Sequence, residues 1–463
     1  MRCWLTIFCV SLLLLAGCRV DSAREAAIYR DLLAVPGPQP TTMPDASVSL
    51  PQVLRIANLA NEDIAVQGEA YYRVLNERRR TVANFLPTLS LVPTYARRDA
   101  TDSNDGGGTN GGVSVGGGQG GSSQNSAFDV SADLNINLFN GFADVNRYWA
   151  TTYRIEQAKQ QLLDLQQTVL LDVARVYYQV LISEASLNVI EQSLAAQEER
   201  FRDTRGRFEA GLARPLDVSQ TEAQVAQTRV QWVDARRDID TGRVTLSQLA
   251  ATPLQDRVLG DGLTVPETPQ SLDHYLSAAT TSRNDLRGAI SAIDASQREI
   301  KVAVAQYYPS VTLDFSAFLY RESVPDERRW EALLGVNLPI FAAGRIRADV
   351  LEAWSFFREA QIVRNRVERQ VRSEVRSAYI ELQASTSRLA ELKKQRDAAE
   401  AAYQLAEQSY KAGIATNLDR LIAQSTLLTA QLGFSQEFFN RKVRYLNLLR
   451  VAGLLRNELE SWR

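Results

Sequence analysis

The sequence predicts an α+β membrane chain, a duplicated unit of long antiparallel coiled-coil helices plus four transmembrane β-strands. Three observations carry this expectation. The chain repeats itself at an offset of 202 residues. Two segments, Phe142 to Arg205 and Arg345 to Ala412, contain neither glycine nor proline. Three short runs set apolar residues at every second position, the period of a strand with two different faces, and a fourth strand is read at Leu86–Tyr95.

The repeat pairs Phe139 with Phe341, Val173 with Val375, Tyr177 with Tyr379, Leu187 with Leu389, Gly211 with Gly413 and Asp217 with Asp419. Upstream, Ser49-Leu50 pairs with Ser271-Leu272 and Pro87 with Pro309, so the first copy holds 20 extra residues between Pro87 and Phe139. The expected division is a first repeat over 48–255, a linker over 256–270, a second repeat over 271–455 and a tail over 456–463.

The N-terminus reads as a processed leader. Arg2 precedes the apolar run Trp4 to Ala16, which is too short to remain as a stable membrane span. The run closes as Leu15-Ala16-Gly17-Cys18, which resembles the bacterial lipoprotein box. A signal peptide over 1–17 and a diacylglyceryl-modified Cys18 are therefore expected, with Arg19 in place of Asp favouring the outer membrane. Residues 18–47, with Pro36, Pro38, Pro40 and Pro44, read as an extended, lipid-anchored linker.

A helix is expected from Leu50 to Asn84, opened by Ser49 as cap and Pro51 in the first turn. Strands follow at Leu86–Tyr95 and at Phe128–Leu138, where Phe128, Val130, Ala132, Leu134, Ile136 and Leu138 alternate with Asp, Ser and Asn. In the second copy Val311, Leu313, Phe315, Ala317 and Leu319 form one apolar row, and Trp330, Ala332, Leu334, Val336 and Leu338 another. Each strand approaches the roughly 9–11 residues that cross a bilayer at the usual tilt. No later stretch is apolar enough for a transmembrane helix, so a spanning chain would do so as a barrel. Four strands cannot close one, since the smallest membrane barrels need about eight. Copies of the chain must supply the rest.

The two uninterrupted segments would each reach roughly 95–100 Å as single helices. Apolar residues at 162, 165, 169, 173, 176, 180, 187, 190 and 194 give the first a coiled-coil seam, with water expected on most other sides. The glycine-rich segment 106–121 between the first two strands reads as a flexible linker, because no helix follows to make it a phosphate cradle.

Composition narrows the chemistry. A net charge of −2 leaves no footprint for nucleic acid. Cys3 and Cys9 fall in the leader, so the mature chain has no disulfide, and the single His274 lacks partners for a metal site. No acid–base pair or nucleophile stands out, so an enzyme is not expected, nor any cofactor.

Each long segment ends in a turn, Arg207 to Asp217 (RFEAGLARPLD) and Ser409 to Asp419 (SYKAGIATNLD), after which a second helix returns over 217–250 or 419–452. Gly211 and Gly413 suit the positive φ of such a turn, and Leu212 or Ile414 beside them offers an apolar knob. Asp217 and Asp419 read as helix N-caps, Asp217 with Gln220 in capping-box register.

Paired strands, paired long helices, duplication and this tip pattern together resemble the TolC-like outer-membrane efflux proteins, in their lipidated branch, over residues 48 to 455. In that family the tip reads Arg, Phe or Tyr, two residues, Gly-Leu, then Asp-Val. Arg207, Phe208, Gly211, Leu212, Asp217 and Val218 match, with Leu216 in the same turn. In copy two Tyr410, Gly413, Ile414, Asp419 and Ala423 fit, while Ser409 stands for the Arg and Arg420 for the Val. The resemblance implies tips that dock a periplasmic adaptor protein, copy one more closely than copy two. It implies a periplasmic aperture ringed by Leu418 and Asp419, with Ile422 where relatives carry a further acid. It also implies a homotrimer in outer-membrane lipid, fed by an inner-membrane transporter of the RND or ABC type. The function so implied is the outer-membrane channel of a tripartite efflux or secretion system. The alternatives are a passive porin, which has no use for the long helices, and a non-transporting envelope scaffold, which has none for polar strand faces.

Overall fold

The computed structural model describes residues 22–33, 47–97, 126–267, 269–321 and 329–461. The leader, Cys18 and the glycine-rich segment 106–121 lie outside them. The chain divides into two compact units.

One unit, Val74–Arg154 with Ala292–Gln361, is built on a single antiparallel sheet. Its strands are β2 (Thr88–Arg97), β3 (Ser126–Asn140), β5 (Ser310–Arg321) and β6 (Trp330–Asn337), in the order β2-β3-β5-β6. The register keeps like with like. Leu89 lies opposite Leu134, Leu134 opposite Phe315, and Phe315 opposite Ala332, so one apolar row crosses all four strands. On the alternate positions Ser90 faces Asp133, Asp133 faces Ser316 and Asn135 faces Asp314, with the Asn135 amide donating to the Asp314 carboxylate. A one-residue slip would exchange the two faces, so the patterning pins the register. Pro93 sits within β2 without penalty, because β2 is an edge strand and needs no N–H on its open side. Among the described residues, both outer strands, β2 and β6, have one unpaired edge. The helical part of this unit packs Ile300 and Ala303 against Ala353, and Arg154 bridges Glu77 at 3.1 Å and Glu299 at 3.0 Å.

The other unit, Met1–Arg73, Ile155–Ser291 and Ile362–Arg463, holds the main core. It holds most of two hairpins, α4 (Ala143–Glu209, from Ile155 on) with α5 (Pro215–Leu249) and α8 (Arg345–Lys411, from Ile362 on) with α9 (Asn417–Val451). Every end of the second pair lies 202 residues after its counterpart. The shorter helices α2 (Leu50–Ala60) and α3 (Glu62–Ala83) recur as α6 (Leu272–Ser282) and α7 (Asn284–Ala305).

Four features differ from the sequence reading. The helix expected over Leu50–Asn84 breaks at Asn61, whose Oδ1 accepts from the N–H groups of Asp63 and Ile64 while its Nδ2 donates to the Leu249 carbonyl. The expected extended linker contains a helix, α1 (Ser22–Leu33), with Tyr29 and Leu33 in the core. It is held by the Asn58 and Gln166 amides, both donating to the Leu33 carbonyl at 2.9 Å. The expected linker 256–270 contributes β4 (Val258–Gly260), which pairs in parallel with β1 (Ser47–Ser49), and the tail begins within a short helix, α10 (Leu455–Ser461). Finally, α4 is no narrow seam. From Gln160 to Ser183 only Gln161, Arg175 and Gln179 are exposed. Copy two behaves more as expected, burying the single stripe Val371, Val375, Ala378, Leu382 and Ser385.

Tyr177 locks this core. Its buried hydroxyl lies 2.9 Å from the Val48 carbonyl and 2.6 Å from that of Gly260, one in each of the paired strands β1 and β4. Burial pushes the phenol pKa upward, so it stays protonated as the donor. Tyr177→Phe therefore costs about 1–3 kcal/mol. The check is a lower thermal unfolding midpoint of the purified protein, with hydrogen exchange accelerating first in β1 and β4.

Candidate functional site: the hairpin tips

The tips are set by backbone hydrogen bonding at the ends of α4 and α8. Leu212 N–H donates to the Arg207 carbonyl at 2.7 Å and Gly211 N–H to that of Phe208 at 2.9 Å. Ile414 and Gly413 repeat this with Ser409 and Tyr410, at 2.9 and 3.0 Å. This is the Schellman closure, which needs a left-handed residue, and the glycines supply φ of +76° and +73°. In many such closures the residue after the glycine folds back on an apolar residue of the last turn. Here the position it would cover is Arg207 or Ser409, so the side chain has nothing to fold against. Leu212 is 79% exposed and Ile414 83%.

The return helices are capped one turn earlier than the sequence reading had it. Pro215 takes the first helical position, so Arg214 is the N-cap and Asp217 the third residue of α5. Asp217 accepts the Arg214 backbone N–H at 3.3 Å and its guanidinium at 3.0 and 2.9 Å. In copy two Thr416 is the cap of α9. Its backbone N–H and hydroxyl donate to Asp419 Oδ2 at 2.8 and 2.6 Å, and the Asp419 N–H donates back to the hydroxyl at 3.2 Å. Asp419 thus closes a full capping box from its third position, whereas Asp217 makes only the returning half, because an arginine side chain cannot accept the Asp217 N–H. The Arg214 guanidinium holds the Asp217 carboxyl below the usual range, and the Thr416 hydroxyl, helped by the backbone N–H, does the same for Asp419. Asp217 is neutralised by its partner; Asp419 keeps a net charge.

Other predicted residues fall around these turns. Phe208 and Leu216 are exposed beside Leu212, and Leu418 is exposed beside Asp419. Arg207 and Tyr410, from different copies, come together: the Arg207 guanidinium lies 5.8 Å from the Tyr410 ring centre. Arg420 lies 4.1 Å from the same ring and is almost wholly buried, which accounts for an arginine where the family carries valine.

The sequence reading missed the contact that joins the hairpins below the tips. Arg200 of α4 donates to the Tyr403 hydroxyl of α8 and to the Gln424 side-chain carbonyl of α9, with Glu407 3.9 Å from its Nε. Burial lowers the Arg200 pKa, and the Glu407 carboxylate opposes that shift. The repeat gave no cue, since Arg200 aligns with Ala402 and Glu407 with Arg205. The only signal was a strongly polar set on the inward face of helices otherwise packed with apolar side chains. Beside Arg200 a cleft of about 130 Å³ remains between the hairpins, lined in part by Ala196, Tyr403 and Gln424.

Among the described residues no group of three or more His, Cys, Asp or Glu is placed to hold a metal, and no helix is long and apolar enough to cross a membrane.

The sequence model of the family described as outer membrane efflux protein matches residues 58–252 and 275–454, one segment for each copy. The outer membrane efflux protein BepC of Brucella suis is 26% identical over 70% of this chain and 72% of its own length. The antibiotic efflux pump outer membrane protein ArpC of Pseudomonas putida is 25% identical over 96% of this chain and 94% of its own. Among solved structures, the outer membrane protein VceC of Vibrio cholerae superposes with a TM-score of 0.76 at 18% identity, covering 87% of this chain and 96% of that one. Doubled tips, a four-stranded amphipathic sheet and a family match that spans both copies lead to one assignment: the chain belongs to the outer membrane efflux protein family and is an outer-membrane channel component.

Proposed function

We propose that this channel is the exit duct of a tripartite pump, a homotrimer whose four strands per copy close one barrel in outer-membrane lipid. Its helical hairpins form the tube that receives cargo from a periplasmic adaptor and an inner-membrane transporter of the RND or ABC type. It performs no chemistry on the cargo and needs no cofactor. The unpaired edges of β2 and β6 support closure by further copies, because an open edge in lipid leaves backbone groups unsatisfied. Cys18 would anchor each copy through its lipid. The cargo is suggested by relatives such as ArpC, whose name places it in an antibiotic efflux pump.

The observation that carries this reading is the pair of apolar knobs, Leu212 and Ile414, held outward on rigid glycine turns. Arg207, Phe208, Gly211, Leu216 and Asp217 shape the first docking turn, and Tyr410 and Gly413 the second. Leu418 and Asp419 would ring the periplasmic aperture. Opening would swing the second hairpin away from the first, which requires Arg200 to release Tyr403 and Gln424.

A photo-crosslinker at Leu212 in living cells should capture a periplasmic adaptor, identified by mass spectrometry. A correctly inserted trimer that captures none would leave the porin standing and remove the exit duct. Leu212→Asp, which loses the burial of one leucine at about 1.5–3 kcal/mol, should weaken adaptor binding by about tenfold or more. Arg200→Ala should raise the conductance of the trimer in planar bilayers.

The pH response has a definite sign. Because the Asp217 pKa is depressed in the fold, its contribution to the turn is present at neutral pH and is lost as pH falls through the depressed value. Crosslinking at Leu212 should hold through the ordinary carboxylate range and fall below it, whereas Asp217→Asn should be low at neutral pH and change little on acidification.

A further inference from the structure

The sheet breaks its own alternation at the end remote from the helices, where β3 begins and β5 stops. Val311, Leu313, Phe315, Ala317 and Leu319 form one apolar row in the sequence, and the next position in that row is Arg321. Strict alternation would therefore put a guanidinium on the apolar face. Instead Ser131 pairs with Phe318 while Val130 pairs with Tyr320, which leaves Leu319 as the extra residue of a β-bulge. One extra residue re-aims every side chain beyond it. Tyr320 continues the apolar row, its ring centre 5.9 Å from that of Phe128, and Arg321 stands opposite Asp129 on the polar face.

Arg321 keeps its charge there. Its guanidinium carbon lies 3.4 Å from the centre of the Phe318 ring, a cation–π stack that holds the group in place without neutralising it. Among the described residues neither the Arg321 Nε nor the Asp129 Oδ1 has a hydrogen-bond partner, so these two atoms do not join the opposed charges. Arg329, whose carbonyl accepts the Phe318 N–H at 3.0 Å, falls on the same face by alternation from Trp330, which pairs with Ala317. Nearer the helices this face turns acidic. Asp133 and Glu331 both lie opposite Ser316, and Asp314 lies opposite Asn135.

Resting on the barrel reading above, in which the polar face lines the lumen, we propose that the bulge installs Arg321 as a fixed cation just inside the outer mouth. Its copies, with Arg329, form a ring that admits anions through a barrel whose inner rows are acidic. Rings of arginine favour anions and rings of carboxylate favour cations, and substitutions on the lumen side of a barrel tune that balance.

The test uses the full-length trimer in planar bilayers under a potassium chloride gradient. Arg321→Gln raises the cation-to-anion permeability ratio about threefold or more, and Arg321→Lys leaves it near that of the unsubstituted protein. Phe318→Leu raises it by a smaller step, because the released guanidinium can reach Asp129. An unmoved ratio in Arg321→Gln overturns the ring, and one in Phe318→Leu overturns the stack as what holds it. Should Arg321→Gln fail to insert, Arg321→Cys modified after assembly gives the same comparison, with only a positively charged adduct restoring anion permeation. The register has its own readout: Arg321→Cys reacts with a membrane-impermeant charged thiol reagent, Tyr320→Cys resists it, and deleting Leu319 exchanges the two. Reactivities that do not exchange overturn the part assigned to the bulge. Failure of the barrel reading shows separately, as a trimer that forms no channel in the bilayer, and failure of the exit duct as absent adaptor capture at Leu212.

Discussion

The core of the helical unit depends on the burial of one length of helix, Gln160 to Ser183 of α4. Of its 24 residues 16 are buried, too many for a helix that meets its partners along one stripe. Around it gather the N-terminal helices, through Gln166, the paired strands β1 and β4, through Tyr177, and copy two, through Tyr178 with Phe439 and Thr168 with Arg450. The apolar seam alone would give a marginal pair of coils. The polar contacts that reach the seam from several directions fix which pieces pack there, and where.

Two copies of one sequence pattern are therefore used unequally. Val375 and Tyr379 stand where Val173 and Tyr177 do in the first copy, yet Val375 lies in a single buried stripe and only Tyr177 ties two strands together. The difference continues to the tips. Copy one neutralises its aspartate with Arg214 and exposes Phe208, Leu212 and Leu216, where copy two exposes Ile414, Leu418 and Ile422. Copy two leaves its aspartate charged. Duplication supplied the scaffold, and a few polar residues at the two tips have since diverged.

Much of this architecture was readable from the sequence because it rests on periodicity. The sheet faces, the two hairpins and the glycine turns each follow from spacing that no long-range contact overrides. What escaped notice depends on such contacts. The helix at Ser22–Leu33 sits beside a proline-rich stretch, and its order comes from Asn58 and Gln166, far along the chain. The break at Asn61 looks like one more helical residue until Leu249 arrives to accept its amide. The N-cap fell on Arg214 and not Asp217, because an arginine is a poor cap by type and works here only through its backbone and the carboxylate three residues on. The Arg200 cluster, finally, breaks the repeat, so a reading built on the repeat passes over it.

The constant offset of 202 residues through both hairpins has a consequence for how this chain can change. Inserting one residue into a helix rotates everything beyond it by about 100° and advances it by about 1.5 Å. In α4 that would turn the tip out of phase with its twin and pull Arg200 from Tyr403. Length drift in the hairpins is thus forbidden unless it comes in whole heptads and in both copies at once. The 20 extra residues of the first copy lie between Pro87 and Phe139, in the part of the chain that holds β2, β3 and the segment joining them. The chain is free to grow in that segment and locked in phase through its hairpins.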